Sequence, residues 1–137
     1  MAHASFTCEI LTPEGEVFND EVTMVSTRTT VGSIGILAHH QPLLGMLEPT
    51  ELRLYQGEGD PLRFAQGEGY VQVTGDHVLI LVEEAHAPGD LDAAELRARV
   101  ERADQEVASA DDGSEQGRIA ARERKRAQAF LKIAEGS

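Results

Sequence analysis

The sequence predicts a mostly β protein with an α tail: an N-terminal β-sandwich, or flattened barrel, followed by a C-terminal antiparallel two-helix hairpin. From residue 5 to 84, runs of period two are separated by turn residues about every 8 to 12 positions, which is typical of sandwiches and barrels. Around Pro88 and Gly89 the period changes. Beyond them, apolar residues recur at helical steps of three and four. We therefore expect two domains, residues 1–88 and 89–137.

The strands follow from the alternation of apolar and polar residues. SFTCEIL places Phe6, Cys8 and Ile10 on one face, PEG forms a turn, and EVTMVSTR is interpreted as a second strand. ELRLYQ and LRFAQ form a hairpin across GEGDP, and YVQVT continues through Gly75 and Asp76 into HVLILVEE. Because this last run is apolar on both faces, we expect a central, buried strand.

The helical tail has a capping signal and two apolar stripes. Asp92 is a candidate N-cap, with Glu95 as its capping-box partner. Residues 110–117 separate the helices, and the second runs from about residue 118 to 134. The stripes are Leu96, Val100, Ala103, Val107 and Ala110 in the first helix, and Ile119, Ala120, Ala127, Phe130, Leu131 and Ala134 in the second, interrupted by Glu123 and Arg124. Because a seam of Ala and Val contributes only a few kcal/mol at about 25 cal/mol per Å², we expect the hairpin to dock conditionally.

Charge is distributed unevenly along the chain. The net charge is -12, but residues 118–137 hold six basic residues against two acidic ones. The net charge of -12 argues against nucleic acid as a partner, because a phosphate backbone requires clustered Lys and Arg over the binding surface. One cysteine excludes an internal disulfide framework, and we find no secretory signal and no membrane-spanning run.

The sequence gives little support for a metal site, a catalytic nucleophile or a phosphate-binding loop. Adjacent His39 and His40 suggest a metal, but consecutive residues of an extended segment point to opposite sides and no third ligand follows at a suitable spacing. Cys8 alternates with core residues, where a thiol is inert packing. The two GEG sequences lack the Lys of a phosphate loop. We therefore predict no catalytic residue, no metal and no cofactor.

Basic residues wrap the second helix around its apolar stripe, and two interpretations stay open. They suit an acidic partner surface, or they pair with the acidic first helix and the acidic sandwich. The two are compatible in a releasable latch. The residues are Arg118, Arg122, Arg124, Lys125, Arg126 and Lys132.

The chain resembles the epsilon subunit of bacterial F-type ATP synthases, of actinobacterial type given RTTVGSIGIL. The resemblance is carried by VGSIGILAHHQPLL, GEGYVQVTGDHVLILVEEA and DLDAAELRARVERA, and their order and spacing make it specific. It implies a non-catalytic central-stalk subunit that binds the gamma subunit and the c-ring and couples rotation to ATP synthesis in the alpha/beta head. It also implies a peripheral position at the cytoplasmic face of the cell membrane, reached only through the complex.

Site residues carry over from this resemblance position by position. The family's loop that contacts the c-ring and gamma matches Gly32, Gly35, Ile36, His40, Pro42 and Leu43. Ser33 stands where the family has an acidic residue, so that carboxylate's contact with the ring is lost or reassigned. The resemblance further implies that last-helix cations meet an acidic segment of beta and inhibit ATP hydrolysis. The candidates are Arg122, Arg124, Lys125 and Arg126.

Some bacterial members bind ATP through an Ile-Asp-x-x-Arg-Ala motif and arginines of the last helix. The corresponding positions hold Leu91, Asp92, Glu95 and Leu96, and Arg126 and Phe130 on the last helix. A carboxylate in place of a cation beside a triphosphate weakens binding. We therefore predict that tight ATP binding is lost, with Asp92 and Arg126 as remnants.

One alternative from another class of function stays open on the sequence. It is a small-molecule-binding or hydrolytic β-sandwich protein whose helical tail shields a sheet edge. His39 and His40 are its best feature. Co-purification with an alpha/beta/gamma complex distinguishes the two hypotheses.

Overall fold

The computed structural model describes residues 4–136. The chain divides into two units, Met1–Ala87 and Pro88–Ser137. The first is a nearly closed sandwich of ten strands, and the second contains two α-helices after a short 3-10 turn at Pro88–Asp90. The predicted fold class, mostly β with a helical tail, is confirmed.

The ten strands are short and separated by tight turns. They are β1 Phe6–Thr12, β2 Gly15–Val22, β3 Met24–Thr29, β4 Gly32–Leu37, β5 Leu43–Leu47, β6 Thr50–Tyr55, β7 Leu62–Gln66, β8 Gly69–Thr74, β9 His77–Val82 and β10 Ala85–His86. Each predicted turn, at PEG, at GEGDP and at Gly75–Asp76, lies between strands.

The strands form two layers around one core. Their order is β10-β7-β6-β3-β5-β8-β9-β1-β2, with β4 paired to the other side of β3. β3 and β5 share one residue pair, Thr29 with Leu47. We call β10, β7, β6, β3 and β4 the first layer, and β5, β8, β9, β1 and β2 the second layer. β1 and β9 are parallel and the other pairs antiparallel.

Alternating side chains fill the space between the layers. Phe6, Cys8 and Ile10 are buried, as the alternation in β1 predicts. The other buried apolar side chains of this core are Val22, Val25, Ile36, Leu47, Leu52, Leu54, Val71, Val73, Val78, Ile80 and Val82. A period of two therefore fixes which side of each strand faces the core.

The prediction that EVTMVSTR is one strand is wrong, because the chain changes layer inside it. β2 ends at Val22 and β3 begins at Met24. β2 pairs with β1 in the second layer, whereas β3 pairs with β4 and β6 in the first. At the bend, the Thr23 N–H donates to the Tyr55 carbonyl oxygen at 2.6 Å. Apolar alternation continues across such a bend, so the pattern does not reveal it.

β9 is central, between β8 and β1, but the prediction that it is buried on both faces is wrong. Val78, Ile80 and Val82 face the core, whereas Leu81 is 43% exposed. A sandwich has only two layers, so one face of a central strand points away from the core.

The second unit is an antiparallel pair of helices, α1 Ala93–Ser109 and α2 Glu115–Gly136. The predicted N-cap is confirmed: the Asp92 carboxylate accepts from the N–H groups of Ala94 and Glu95 at 3.0 and 3.3 Å. α2 begins at Glu115, three residues earlier than predicted, because the Ser114 hydroxyl accepts from the Gly117 N–H at 3.0 Å and caps the helix.

The helical hairpin buries five of the eleven residues of the two predicted stripes. Leu96 and Ala103 of α1 are buried, and so are Ala120, Ala127 and Phe130 of α2. The assignment of Ile119 to the seam is wrong, since this side chain is 51% exposed. It lines an open groove at the loop end of the hairpin, together with Glu106, Ser109, Ala110 and Gln116.

Candidate functional site

Cys8 is not a nucleophile. Its side chain is fully buried, and burial, with a smaller contribution from the charge of Glu9, raises the pKa of the thiol to about 12. The thiolate is the reactive form of cysteine, and it is not populated at neutral pH with such a pKa.

The adjacent histidines diverge into separate contacts. The His39 Nδ1 lies 3.8 Å from a carboxylate oxygen of Asp76, and the His40 Nδ1 lies 2.8 Å from the Gln41 carbonyl oxygen. Within residues 4–136, the His, Cys, Asp and Glu side chains form no group of three or more suited to a metal ion.

His39 lies in a tight turn between β4 and β5. Its φ is 63°, the one positive φ outside glycine among the described residues. The His40 N–H donates to the Leu37 carbonyl oxygen at 3.2 Å, which closes a four-residue turn with His39 at its third position. Positive φ at that position is the signature of a type II turn, and His is among the non-glycine residues that tolerate it.

The predicted contact loop from residue 32 to 43 is largely not a loop. Gly32–Leu37 is strand β4, followed by the His39 turn and the start of β5. At about 3.4 Å per residue, β4 spans roughly 17 Å. Gly32 and Ser33 therefore lie at one end of the sandwich, and His40, Pro42 and Leu43 at the other. The Ile36 side chain is fully buried in the core, and the place of this residue in a contact loop stays a prediction.

The end of the sandwich that carries Gly32 and Ser33 has an exposed tip. Val31, in the two-residue turn between β3 and β4, is 96% exposed. Ser33 lies directly opposite Arg28 on β3. The Arg28 side chain approaches Glu48, and its Nε lies 3.7 Å from a carboxylate oxygen of that residue.

The second layer has an outward apolar face, which sequence reasoning missed. Register places Met46 beside Tyr70, Tyr70 beside Leu81, and Leu81 beside Leu11. Leu44, also on β5, is 73% exposed. We call Leu11, Leu44, Met46, Tyr70 and Leu81 the apolar face. The signal for this face is in β9, whose two apolar sides predict burial on both faces.

The apolar face continues into a groove of about 410 Å³ whose floor depends on a glycine. Pro13, Glu68 and Glu83 line it with members of the apolar face. A Cβ built on Gly69 would stand 1.9 Å from the Leu81 carbonyl oxygen. Only glycine therefore permits β8 to approach β9 this closely at the groove.

Arg124 and Arg126, which are among the cations predicted to contact a partner, have acidic neighbours within the hairpin. Arg124 lies 3.6 Å from Asp104 of α1, and Arg126 lies 3.2 Å from Glu123. Glu123 also holds Arg99 of α1 at 2.7 Å. Glu123, which interrupts the apolar stripe, thus links the two helices. The interpretation that these cations pair with the acidic first helix is confirmed for Arg124.

The remaining predicted residues are either exposed on α2 or engaged within the hairpin. Arg122 and Lys125 are exposed on α2. The Asp92 carboxylate is engaged as the N-cap of α1, and Arg126 is engaged with Glu123. The loss of tight ATP binding stays a prediction.

Among the described residues, no helix is both long and apolar enough to cross a membrane.

The fold is a β-sandwich with an outward apolar face, followed by a two-helix hairpin. Residues 5–88 match the family described as ATP synthase, Delta/Epsilon chain, beta-sandwich domain. The chain belongs to this family of non-catalytic accessory subunits of ATP synthase.

Bacterial relatives agree with this assignment. The ATP synthase epsilon chain of Brevibacillus brevis is 37% identical over 105 residues, which cover 76% of this chain and 79% of that protein. The epsilon chain of Sulfurihydrogenibium sp. is 32% identical over 92% of this chain and 94% of its own length. That of Mycobacterium avium is 37% identical over 77% of this chain and 88% of its own length.

Solved structures share the fold. A chain of the Euglena gracilis mitochondrial ATP synthase, determined by cryo-EM with OSCP, F1 and the c-ring, superposes with a TM-score of 0.75 at 24% identity, covering 93% of this chain and 82% of that one. A chain of the Tetrahymena thermophila mitochondrial ATP synthase central stalk and c-ring gives 0.61 at 20% identity, covering 98% and 99%.

Proposed function

We propose that this chain is a rotor subunit of the central stalk of a proton-translocating F-type ATP synthase. It couples c-ring rotation to ATP synthesis in the catalytic head, and its C-terminal helices inhibit ATP hydrolysis. The observation that carries the proposal is the exposed apolar face on a sandwich of the ATP synthase delta/epsilon family.

The apolar face is the proposed docking surface for the gamma subunit. Contiguous exposed apolar patches on soluble domains mark interaction sites. Full burial of one large apolar side chain contributes about 1.5–3 kcal/mol, so covering several partly exposed ones is enough to hold a subunit on the stalk. Pro42 and Leu43 lead directly into this face, and with His40 they form its proposed edge toward gamma.

The opposite end of the sandwich is the proposed contact with the c-ring. Its tip offers Val31, Gly32 and Ser33, and no carboxylate at position 33. Glu48, held by Arg28 at 3.7 Å, is the proposed replacement for the missing acid. The contact residues carried over from the family thus serve two partners from two ends of one strand, with Gly35 on β4 between them.

The basic segment of α2 is the proposed inhibitory contact with an acidic segment of the beta subunit. Arg124 already holds the Asp104 carboxylate, but this ion pair is exposed, and such pairs contribute about 0–1 kcal/mol. An acidic partner can therefore replace Asp104 at little cost, whereas Arg126 must leave the less exposed Glu123. Arg122 and Lys125 complete the proposed contact.

The proposed location is the cytoplasmic face of the bacterial cell membrane, reached through the complex. Neither a cofactor nor nucleic acid is part of the proposal. The alternative of a ligand-binding or hydrolytic sandwich has no observation in its favour among residues 4–136, and the experiment below tests it as well.

The test compares purified ATP synthase carrying the full chain with the same complex carrying a chain that ends at Pro88. We expect both chains to co-purify with alpha, beta and gamma, and the shorter one to release ATP hydrolysis severalfold. A folded full chain that fails to co-purify contradicts the stalk assignment. Unchanged hydrolysis after truncation contradicts the inhibitory role of the helices.

A further inference from the structure

We infer that the segment of gamma that covers the apolar face is both apolar and basic. It places an apolar side chain in the groove beside Gly69 and a Lys or Arg side chain in an acidic pocket that adjoins the groove. Gamma is taken as the partner from the proposed function, on which this inference rests. The chemistry of the covering segment follows from the carboxylates around the groove.

The acidic pocket has a volume of about 260 Å³ and lies next to the groove. Thr12 and Glu83 line both of them. The pocket holds four carboxylates, those of Glu14, Glu16, Glu83 and Glu84. An apolar surface and a group of carboxylates therefore lie side by side, where β1 and β9 end and β2 begins.

The second layer supplies no Lys or Arg to balance these carboxylates. Every Lys and Arg between positions 4 and 87 belongs to a strand of the first layer, and these residues are Arg28, Arg53 and Arg63. The part of the sandwich that carries the apolar face is therefore strongly acidic. A basic partner is electrostatically complementary to it.

The carboxylates of the pocket have few partners of their own. Glu16 accepts a hydrogen bond from the neutral side-chain amide of Asn19 at 3.0 Å, and the His86 Nε2 lies 3.0 Å from Glu84. Within residues 4–136, Glu14, Glu16 and Glu83 form no ion pair. The pocket is therefore able to take a cation from another chain.

Glu83 makes that cation necessary once the groove is covered. Its N–H donates to the Glu68 carbonyl oxygen at 3.1 Å, which holds the backbone at the junction of groove and pocket. A partner that fills the groove removes water from the Glu83 carboxylate, and removing water from an unpaired charge is costly. A Lys or Arg can lay its methylene stem on the groove and place its charge in the pocket. A second copy of this face brings more carboxylates, so charge favours a different chain.

Binding of the full chain to ATP synthase depleted of this subunit tests the inference. Glu14→Gln/Glu83→Gln removes two charges from the pocket and preserves the size of both side chains. The matched control, Glu58→Gln/Asp60→Asn, removes the same charge from the exposed turn between β6 and β7. We expect the dissociation constant of the pocket variant to rise roughly fivefold or more at low ionic strength, and that of the control to stay within about twofold of the parent. Melting curves check that both variants are folded.

Salt separates a charge contact from a structural effect in this experiment. The affinity of the parent chain should fall more steeply with ionic strength than that of the pocket variant, so the two should converge at high salt. Equal dissociation constants of parent and pocket variant at low salt overturn the inference. A deficit of the pocket variant that stays the same at high salt also overturns it, as does tighter binding by that variant.

Crosslinking identifies the chain that enters the pocket. Thr12, which lines both groove and pocket, is replaced by a residue that carries a benzophenone, and the chain is incorporated into the depleted complex. We expect photochemical coupling to gamma. Coupling to alpha, to beta or to a second copy of this chain overturns the inference.

The two proposals fail differently. If the unmodified chain does not bind the depleted complex, the proposed function is contradicted, and this inference with it. If it binds equally well with and without the Glu14 and Glu83 charges, only the inference about the basic segment is contradicted.

Discussion

Gly69 packs so tightly against Leu81 that a Cβ on residue 69 would stand 1.9 Å from the Leu81 carbonyl oxygen. The obstacle is backbone of a central strand, which cannot move aside as a side chain can. We expect Gly69→Ala to destabilise the sandwich by about 3 kcal/mol, the upper range for overpacking. Such a loss lowers the melting temperature by about 10 °C or more.

The matched control for Gly69→Ala is Gly89→Ala, since a Cβ at residue 89 meets nothing within 4 Å. Thermal unfolding followed by circular dichroism measures both. The prediction is contradicted if Gly69→Ala melts within about 2 °C of the parent chain, which is about the precision of such a comparison. That result would show that β8 and β9 can separate without cost.

Gln66 is a buried polar residue with both ends of its amide engaged. It accepts a hydrogen bond from the Thr27 hydroxyl at 2.6 Å and donates to the Glu48 carbonyl oxygen at 2.8 Å. Gln66→Leu leaves both partners without their bond, at a cost of about 1–3 kcal/mol each. We expect a lower urea midpoint for Gln66→Leu and an unchanged one for Gln72→Leu at an exposed site. A Gln66→Leu midpoint equal to that of the parent chain contradicts the prediction.

The fold was predictable because alternation and helical periodicity report burial directly. Three features follow from side chains that lie within a few residues of one another. They are the two faces of β1, the hairpin of β6 and β7, and the Asp92 cap. The bend at Thr23 does not, because pairing with Tyr55, far along the chain, decides where the strand changes layer.

The candidate site was less predictable because it consists of surfaces. Periodicity shows that β9 is apolar on both sides but not that Leu81 stays exposed. The motif around Gly32 and His40 was recognisable as consecutive letters, yet a strand separates its two ends. Gln66 is the last residue of β7, and only the fold brings Thr27 to it.

Glu51 links stability to pH. Burial tends to raise the pKa of this carboxyl, but hydrogen bonds from Arg53 and Arg63, with their charges, outweigh burial and lower it from 4.5. A lowered pKa in the folded state gives stability that is present above the unfolded pKa and lost as pH falls through the folded value. We expect Glu51→Gln to be less stable than the parent at pH 7 and nearly equal to it at about pH 3.

Urea unfolding at the two pH values measures the effect of Glu51→Gln. Glu58→Gln, in the exposed turn between β6 and β7, is the control and should change stability equally little at both. A Glu51→Gln deficit that is as large in acid as at pH 7 shows that the loss is packing rather than charge.

ATP should not stabilise the chain at submillimolar concentration. Glu95 places a carboxylate where the resemblance implies a cation, and Asp92 and Arg126 are engaged within the hairpin. Binding at 100 times the dissociation constant stabilises by about 2.7 kcal/mol, which a thermal-shift titration detects readily. A clear rise in melting temperature below 1 mM ATP, on the order of several degrees, overturns the prediction. Glu95→Arg tests the cause and should gain nucleotide-dependent stabilisation.

The position of positive charge on α2, rather than its amount, should govern inhibition of hydrolysis. Replacing Arg122, Arg124, Lys125 and Arg126 with Gln removes the proposed contact with the acidic segment of beta. Losing about 1 kcal/mol of interfacial attraction changes occupancy about fivefold, so we expect ATP hydrolysis by the complex to rise roughly three- to tenfold.

The control for this variant keeps the same net charge. It replaces the four exposed cations Arg97, Arg102, Arg118 and Lys132 with Gln and should leave hydrolysis within about twofold of the parent complex. Co-purification with gamma should be unaffected in both variants, because the apolar face lies on the sandwich. Equal activation by the two variants would mean that general charge on the hairpin, and no defined contact, sets the rate. Salt screens exposed ion pairs, so the difference in ATP hydrolysis between the Arg122, Arg124, Lys125 and Arg126 variant and the parent complex should shrink at high ionic strength. A difference that persists there would also contradict the prediction.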